Sequence, residues 1–269
     1  MPPAIFHENV TIITGASSGI GRELAYQLAD QGAWLALAAR DQEALQEASE
    51  ECRQRGGRAI PVATDVTDQE QCQMLIQRTV DEYGRIDTLV NNAGITMWAL
   101  FEEFQSLDLF ERIMRVNYFG AVYCTHYALP YLKDTQGRIV AVASLAALNG
   151  IPTRSAYAAS KHALKGFMDT LRIELAGYGI SVTISYPDFV ATGMRDRAFK
   201  ADGQRLGASP LEEGQVMTTE DSVRSLVGAM ERRAREDRQT LRGKVGPWLK
   251  LITPGMIDNM ARSALLQDD

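Results

Sequence analysis

Tyr157 and Lys161, four positions apart, are the residues of this sequence whose types and spacing best suit proton transfer. Residues at i and i+4 lie on the same side of a helix, so the ammonium can sit near the phenol. A fixed positive charge favours phenolate and lowers a pKa that is ordinarily about 10, which suits a carbonyl becoming an alcohol. The pair alone is a weak signal, because the same spacing arises by chance in helices where the tyrosine is half-buried and the lysine solvated.

Two further polar residues, Ser144 and Asn117, precede this pair along the chain. Ser144 closes a predicted strand, so we expect its hydroxyl to face a cleft and donate to a substrate oxygen as negative charge develops there. Asn117 lies inside a predicted helix, where asparagine costs some helix propensity, and this favours a functional role. The residues alone therefore suggest Ser144, Tyr157 and Lys161 as catalytic candidates, with Asn117 as a further candidate.

The elements that must position these residues alternate between short apolar runs and longer amphipathic ones. Strands are predicted at Val10 to Thr14, Trp34 to Ala39, Ala59 to Thr64, Ile86 to Val90, Ile139 to Ala143 and Ser181 to Ser185. Helices are predicted at Gly19 to Gln31, Asp41 to Arg55, Asp68 to Tyr83, Leu107 to Leu132, Arg154 to Tyr178 and Thr219 to Arg235. Such alternation with apolar strands is typical of a parallel sheet covered on both faces. We therefore predict one α/β domain, residues 1–269, with a Rossmann-type doubly wound sheet.

A glycine-rich segment, Thr14 to Gly21, links the first predicted strand to the first predicted helix. Small residues there let the backbone approach a pyrophosphate, and the helix amino terminus supplies N–H donors and a positive dipole. A tight turn without a ligand is the alternative. Its position directly after a buried strand favours phosphate binding.

Five motifs of this chain together resemble the short-chain dehydrogenase/reductase family. They occur in the family's order and separations over about residues 8–192: Thr14-Gly-x-x-x-Gly-Ile-Gly, Asn91-Asn92-Ala93-Gly94, Asn117, Ser144 and Tyr157-x-x-x-Lys161. The resemblance implies hydride transfer between a nicotinamide cofactor and a carbonyl or alcohol. It also implies that Lys161 bonds the nicotinamide ribose and that Asn117 holds a water linking Lys161 to solvent.

The resemblance further implies a set of cofactor-binding positions. They are Gly15, Ser17, Ser18, Gly19, Ile20, Gly21, Arg40, Asp65, Val66, Asn92, Ala93, Gly94, Tyr157, Lys161, Pro187, Val190 and Thr192. Asp65 matches the position whose carboxylate meets the adenine amino group, although an aspartate at a strand end is also a common turn former. Asp188 stands where the family usually has glycine, so the path of this loop, and with it the place of Thr192, differs from the pattern.

Cofactor choice depends on the end of the second predicted strand, Ala39-Arg40-Asp41. A carboxylate in place of Ala39 would accept hydrogen bonds from a free ribose 2′-hydroxyl, whereas Arg40 can pair with a 2′-phosphate. Ser17 could add a hydroxyl to the same phosphate. We therefore predict NADP(H) as the cofactor. NAD(H) would be favoured instead if Asp41 turned toward the cofactor rather than capping its helix.

Composition excludes several other functions. A net charge of -6 and a pI near 5.3 argue against a nucleic-acid surface. Three widely spaced cysteines indicate neither a disulfide framework nor a zinc site, and three scattered histidines indicate no metal site. Met1 to Asn9 show no signal peptide and no apolar run reaches a spanning length, so we predict a cytoplasmic protein.

Substrate selection is predicted in residues 193–217, the substrate loop, which follows the predicted core of residues 8–192. Scattered apolar residues there and at strand ends suggest a hydrophobic pocket: Met194, Phe199, Leu206, Met217, Ile95, Met97, Trp98, Leu145 and Leu148. These side chains could equally pack on the core. A lipophilic ketone, aldehyde or secondary alcohol, including a steroid, fits such a pocket, with a 3-oxoacyl thioester or a silent NADP(H)-binding sensor as alternatives.

The region 218–269 combines a helix with an unusually apolar tail. Arginines between Glu231 and Arg242 alternate with acids, a pattern typical of a solvated helix end. The apolar stretch Gly246 to Met256 is interpreted as an intersubunit arm or lid, a tail packed on its own domain, or, less favoured, a peripheral membrane element. By family resemblance, the helices at 107–132 and 154–178 pair between subunits, which implies a homodimer or homotetramer.

Overall fold

A single parallel sheet organises the chain in the computed structural model, which describes residues 4–208 and 216–265. Its strands follow the order β3-β2-β1-β4-β5-β6-β7. They are β1 Val10–Thr14, β2 Trp34–Ala39, β3 Arg58–Ala63, β4 Thr88–Asn91, β5 Arg138–Val142, β6 Ser181–Tyr186 and β7 Glu236–Arg238. The order reverses between β1 and β4, and the loops that diverge there open a crevice at the carboxyl ends of the strands.

Helices cover both faces of this sheet. They are α1 Gly19–Ala29, α2 Gln42–Gln54, α3 Gln69–Tyr83, α4 Asp108–Met114, α5 Gly120–Asp134, α6 Ser155–Glu174, α7 Thr219–Glu231, α8 Leu241–Ile252 and α9 Pro254–Leu265. Ile12 packs into a buried cluster with α3, α5 and α6, while its neighbour Ile13 packs with α1, α2 and α7. Consecutive strand residues point to opposite faces, so a sheet buried on both sides requires continuously apolar strands. The predicted doubly wound fold is confirmed.

The predicted helix at 107–132 is interrupted near its middle. α4 and α5 are joined through a π-helical turn, Arg115–Phe119, that contains the buried Asn117. Such turns insert an extra residue into a helix and occur frequently at functional sites. The apolar periodicity of the region cannot reveal one inserted residue, because the stripe continues on either side.

The prediction of a solvated helix end between Glu231 and Arg242 is wrong. α7 ends at Glu231, and residues 236–238 form β7, which pairs with β6. Asp237 is buried and accepts hydrogen bonds from Ser185 and Ser225, each at 2.7 Å. The two hydroxyl groups, one buried and one half-buried, compensate the carboxylate. A three-residue strand of charged side chains gives no alternating pattern for sequence reading to detect.

The apolar tail forms α8 and α9 and packs on its own domain. A Cβ added at Gly243 would lie 2.9 Å from Leu145 Cδ2, and Lys250 Nζ donates to the Leu148 carbonyl at 3.4 Å. The opposite face leaves Trp248 and Leu251 exposed. Across the described ranges, no helix is both long and apolar enough to cross a bilayer.

Candidate active site

A cavity of about 870 Å³ lies at the carboxyl ends of the strands. It brings together most of the predicted site residues: Gly15, Ser17, Ser18, Gly19, Ile20, Arg40, Asp65, Val66, Asn92, Ala93, Gly94, Ser144, Tyr157, Lys161, Pro187, Val190 and Thr192. Gly21 and Asn117 lie outside its lining and support it from behind. The glycine-rich segment forms one end of this cavity and the Ser144–Tyr157 pair the other.

Two polar side chains fix the path of the glycine-rich segment. Thr14 Oγ1 accepts hydrogen bonds from the backbone N–H groups of Asn92 and Ala93, both at 3.0 Å. Asn92 Nδ2 donates to the carbonyls of Thr14 and Gly15 at 2.8 and 3.2 Å. The turns after β1 and β4 are therefore bonded to each other at the point where the sheet order reverses.

Glycines are required in this segment by space and by conformation. Gly15 adopts a φ of 68°, and a Cβ added at Gly21 would lie 2.4 Å from the Gly15 carbonyl oxygen. Ser18 precedes α1 without a side-chain capping bond. The N–H groups of the first turn of α1 therefore remain available to an anion, and the segment fits a dinucleotide pyrophosphate.

Beyond the glycine-rich segment, on the side of β2 and β3, the cavity is lined by the groups expected to contact the adenosine ribose. Arg40 is exposed and lines the cavity. Asp41 caps α2, accepting from Ala44 N at 3.1 Å. Asp65 Oδ1 accepts from the backbone N–H and the hydroxyl of Thr67, at 2.9 and 2.8 Å, while also lining the cavity. Asp65 is thus both turn former and cavity wall.

The Tyr157 phenol and the Ser144 hydroxyl lie near each other at the substrate end, close enough for Ser144 to act on the phenol pKa. Tyr157 sits in the first turn of α6, and Ser144 follows β5, where its Oγ accepts from Ala146 N at 3.2 Å. Burial raises the pKa of the Tyr157 phenol, while the Ser144 hydroxyl and the charge of Arg154 act to lower it. A carbonyl oxygen between these two hydroxyls would find two donors.

Lys161 is buried one turn beyond Tyr157. Its Nζ donates to the Val142 carbonyl at 2.8 Å and lies 5.8 Å from the Tyr157 ring centroid. Burial lowers the pKa of Lys161 to about 8. Among the charges that act on the phenol, that of Arg154 lowers its pKa, and the effect expected of Lys161 stays a prediction.

Arg154 is a site residue that sequence reasoning missed. Its side chain is buried and lines the cavity, with its Cζ 4.4 Å from the Trp98 ring centroid and 6.0 Å from that of Tyr157. Its Nη1 donates to Thr96 Oγ1 at 2.8 Å. The available signal was an arginine three positions before the tyrosine, next to the start of α6, which resembles an ordinary helix boundary.

Asn117 ties two elements together behind the cavity. Its Nδ2 donates to the Ile95 carbonyl at 3.0 Å and to Ser160 Oγ at 2.9 Å, while its Oδ1 accepts from Ile95 N at 2.8 Å. Both N–H groups of the amide are thereby used by the protein. The side chain therefore holds the turn after β4 against α6, and the expected role of Asn117 in holding a water stays a prediction.

The loop after β6 shows what replaces the usual glycine. Asp188 Oδ2 accepts from Thr240 Oγ1 at 3.1 Å, and Thr240 caps α8 by accepting from Gly243 N at 3.2 Å. Asp188 therefore joins the loop to the helix that covers the cavity. Thr192 remains beside the glycine-rich segment, since a Cβ added at Gly19 would lie 3.0 Å from Thr192 Cβ.

The substrate end of the cavity is less purely apolar than predicted. Of the predicted apolar residues, those in the lining are Ile95, Trp98, Leu145 and Met194. Met97 and Phe199 are instead buried in a core cluster. Arg154 is among the residues of this end, and four more arginines missed by sequence reasoning line the cavity elsewhere: Arg195, Arg197, Arg205 and Arg242. Part of the predicted substrate loop, 209–215, lies outside the described residues. Among residues 4–208 and 216–265, no cluster of His, Cys, Asp or Glu could hold a metal ion.

Comparison with known proteins identifies a family match and several relatives. The family model described as short chain dehydrogenase matches residues 9–203. An 11-beta-hydroxysteroid dehydrogenase A of Sesamum indicum is 37% identical over 255 residues, 93% of this chain and 73% of that protein. An 11-beta-hydroxysteroid dehydrogenase-like 4A of Arabidopsis thaliana is 41% identical over 215 residues, 80% of this chain and 69% of that protein.

Solved structures with the same fold carry nicotinamide dinucleotides. A short chain dehydrogenase/reductase from Burkholderia phymatum in complex with NAD superposes with a TM-score of 0.82 at 25% identity, covering 93% of this chain and 95% of that one. An alcohol dehydrogenase from the archaeon Thermococcus sibiricus complexed with 5-hydroxy-NADP gives a TM-score of 0.75 at 26% identity, covering 85% and 94%.

Proposed function

Because the chain belongs to the short-chain dehydrogenase family, we propose that it is an NADP(H)-dependent oxidoreductase acting on a lipophilic carbonyl or secondary alcohol. The family membership makes it an oxidoreductase with a nicotinamide cofactor. The observation that carries the finer proposal is one cavity lined by the glycine-rich segment at one end and by Tyr157 and Ser144 at the other. Such a cavity holds a dinucleotide and a carbonyl side by side.

Each polar residue of the candidate set has a distinct part in this reaction. The bound dinucleotide supplies or accepts the hydride. Tyr157 gives the substrate oxygen a proton in reduction and removes one in oxidation, while Ser144 donates a hydrogen bond to that oxygen. Lys161 orients the ribose of the dinucleotide, and Arg154 stabilises the tyrosine in its charged form. Asn117 positions α6, which carries both Tyr157 and Lys161.

The preference for NADP(H) is supported by the end of β2. Ala39 offers no carboxylate to a free 2′-hydroxyl, and Asp41 is engaged at the start of α2. Arg40 lines the cavity beside them. Asp41 also lines the cavity, but its carboxylate already accepts from Ala44 N. An exposed arginine at this position suits a 2′-phosphate, which it can contact through two parallel N–H groups.

A steroid-like or similarly hydrophobic substrate is supported by the apolar part of the wall and by the relatives. Ile95, Trp98, Leu145 and Met194 line the substrate end. The Sesamum and Arabidopsis relatives carry the name of hydroxysteroid dehydrogenases. Burial of a fused-ring body against such side chains contributes about 25 cal/mol per Å² of apolar surface.

The test is dinucleotide turnover on a substrate panel. NADPH oxidation is measured with aldehydes, aliphatic and aromatic ketones, steroid ketones and 3-oxoacyl thioesters, with Tyr157→Phe as the matched control and NADH in parallel. Turnover of hydrophobic ketones with NADPH that is lost in Tyr157→Phe supports the proposal. If 3-oxoacyl thioesters were the preferred substrates, the proposed class of lipophilic ketones would be wrong and thioesters would take its place. NADPH binding without turnover of any compound in either direction would favour a sensor.

We further propose that the protein works in the cytoplasm as a homodimer or homotetramer, held together by α5 and α6. Ile173 on α6 is 77% exposed in the single chain, and Phe119 at the start of α5 is 41% exposed. Apolar side chains on the two helices suit a self-complementary contact. Sedimentation velocity of Ile173→Glu against the unmodified chain tests this interface, and an unchanged oligomer would contradict it.

A further inference from the structure

The segment that follows Thr192 reaches back across the cavity to the glycine-rich segment through Arg197. Arg197 Nη1 donates to Ser18 Oγ at 3.0 Å, across 179 positions of sequence. Nη2 and Nε of the same guanidinium donate to the carbonyls of Thr192 and Gly193, at 3.3 and 3.2 Å. One side chain therefore bridges the substrate loop and the residue that precedes α1.

A second arginine holds this bridge in place. Arg205 Nη1 donates to the Arg197 carbonyl at 2.7 Å, and Arg205 pairs with Phe199 in an isolated antiparallel bridge. Phe199 is buried and lies between the guanidinium groups of Arg112 and Arg205, at 4.6 and 4.4 Å from its ring centroid. The bridging segment is thereby fixed to the core.

Positive charges gather here without acidic partners. The pKa of Arg205 is lowered, first by burial and then by the charges of Arg112, Arg197 and Arg40. Within the described part of the chain, none of these four arginines forms an ion pair with a carboxylate. Like charges repel one another, so such a group is more stable when an anion lies among them.

We propose that Arg197 is a ligand of the cofactor pyrophosphate, supplied by the substrate loop, and that dinucleotide binding fixes residues 192–205 before the carbonyl substrate enters. This rests on the proposed function. The pyrophosphate is assigned because Ser18 precedes the uncapped first turn of α1, whereas Arg40 at the end of β2 serves the 2′-phosphate. Met194, in the same segment, lines the substrate wall, so the cofactor completes that wall.

Binding of the two reduced dinucleotides tests the contact directly. Dissociation constants for NADPH and NADH are measured by fluorescence for the unmodified chain, Arg197→Gln and Arg197→Lys. We expect Arg197→Gln to weaken both dinucleotides by a similar factor, on the order of tenfold, since both contain a pyrophosphate. Arg197→Lys should restore part of the loss. Arg224→Gln removes an exposed arginine that pairs with Asp221 on α7, and should change neither constant.

Two results of this titration would overturn the inference. If only NADPH were weakened, Arg197 would contact the 2′-phosphate; if neither were weakened, Arg197 would have no part in binding. Circular dichroism and the thermal midpoint identify a variant that fails to fold, and Arg197→Lys then carries the comparison. If the unmodified chain bound neither dinucleotide, the proposed function would fail as well, which separates the two ideas.

Protection from trypsin tests the ordering of the segment. Cleavage after Lys200 is followed by mass spectrometry with and without saturating NADPH. We expect the dinucleotide to slow this cleavage several-fold in the unmodified chain and to have little effect in Arg197→Gln, even at concentrations that restore occupancy. Equal protection in both proteins would show that the loop orders without Arg197 and would overturn this part of the inference.

Discussion

The dinucleotide end of the cavity is formed mainly by backbone groups, whereas the substrate end is formed mainly by side chains. At the dinucleotide end, backbone groups approach one another closely: Gly21 lies against the Gly15 carbonyl, and Asn92 bonds that carbonyl directly. At the substrate end, long side chains such as Trp98, Arg154 and Met194 form the wall. The first end tolerates few residue types, whereas the second accepts many.

This difference explains why one end has a sequence motif and the other does not. Close backbone approach and a φ of 68° restrict position 15 to glycine, so this requirement can be recognised in the sequence. A wall of side chains fixes only shape and charge, which different residues from different segments can supply. The predictions that follow test whether the two ends can be disturbed separately.

The largest expected effect is the loss of turnover in Tyr157→Phe. Removing the phenolic hydroxyl leaves no proton donor beside Ser144, so kcat should fall on the order of 10³-fold. The dissociation constant for NADPH should change little, because the ring and its packing remain. Steady-state kinetics and fluorescence titration measure the two quantities, and a parallel loss of dinucleotide binding would show that the ends are coupled.

Gly21→Ala should disturb the opposite end. Its Cβ would lie 2.4 Å from the Gly15 carbonyl oxygen and 2.5 Å from Asn92 Nδ2, so the segment must shift. We expect the free energy of unfolding to fall by about 1–3 kcal/mol and NADPH affinity to fall with it.

The matched control for Gly21→Ala is Gly255→Ala. Gly255 is exposed within α9, away from the proposed subunit contact, and an added Cβ would meet nothing within 4 Å. Alanine there should stabilise the protein by about 0.5–1 kcal/mol through its helix preference. Chemical denaturation measures both variants, and a neutral Gly21→Ala would contradict the close approach.

Arg154→Met should change the pH dependence by less than Tyr157→Phe changes the rate. The charge of Arg154 lowers the pKa of the Tyr157 phenol, so its removal raises that pKa. Reduction needs the protonated phenol and oxidation needs the phenolate. The limb of each pH profile of kcat/KM that reports the phenol, for reduction and for oxidation, should therefore move to higher pH. At neutral pH, oxidation should become slower. Arg154→Lys keeps the charge and should move the limb less. Unshifted profiles would show that the guanidinium does not act on the phenol.

The smallest effect is expected for Asp188→Gly, which restores the residue usual in the family. It removes the bond to Thr240 and should cost about 1 kcal/mol of stability. Looser anchoring of α8 should raise the KM for a hydrophobic carbonyl a few-fold without changing the NADPH dissociation constant. A change confined to NADPH binding would contradict the assignment of this loop to the substrate end.

The outcomes for individual residues follow the same division. Asp41 was predicted to cap its helix and does so, because the cap is a local interaction three residues long. Asn117 was identified from its place in the sequence, but its partners Ile95 and Ser160 come from two other segments, so its structural role could not be read from the sequence. β7 was missed because its acceptance into the sheet depends on the buried partners of Asp237.

By itself, the sequence determined the first six strands with their intervening helices, the glycine-rich segment and the Tyr157–Lys161 pair, because each depends on residues close together in the chain. Tertiary structure alone decided which charges meet in the cavity. It placed Arg154 beside Tyr157 and Arg197 against Ser18, 179 positions apart. Long side chains contact partners that the chain topology brings near, and neither periodicity nor spacing in the sequence indicates which partners these are.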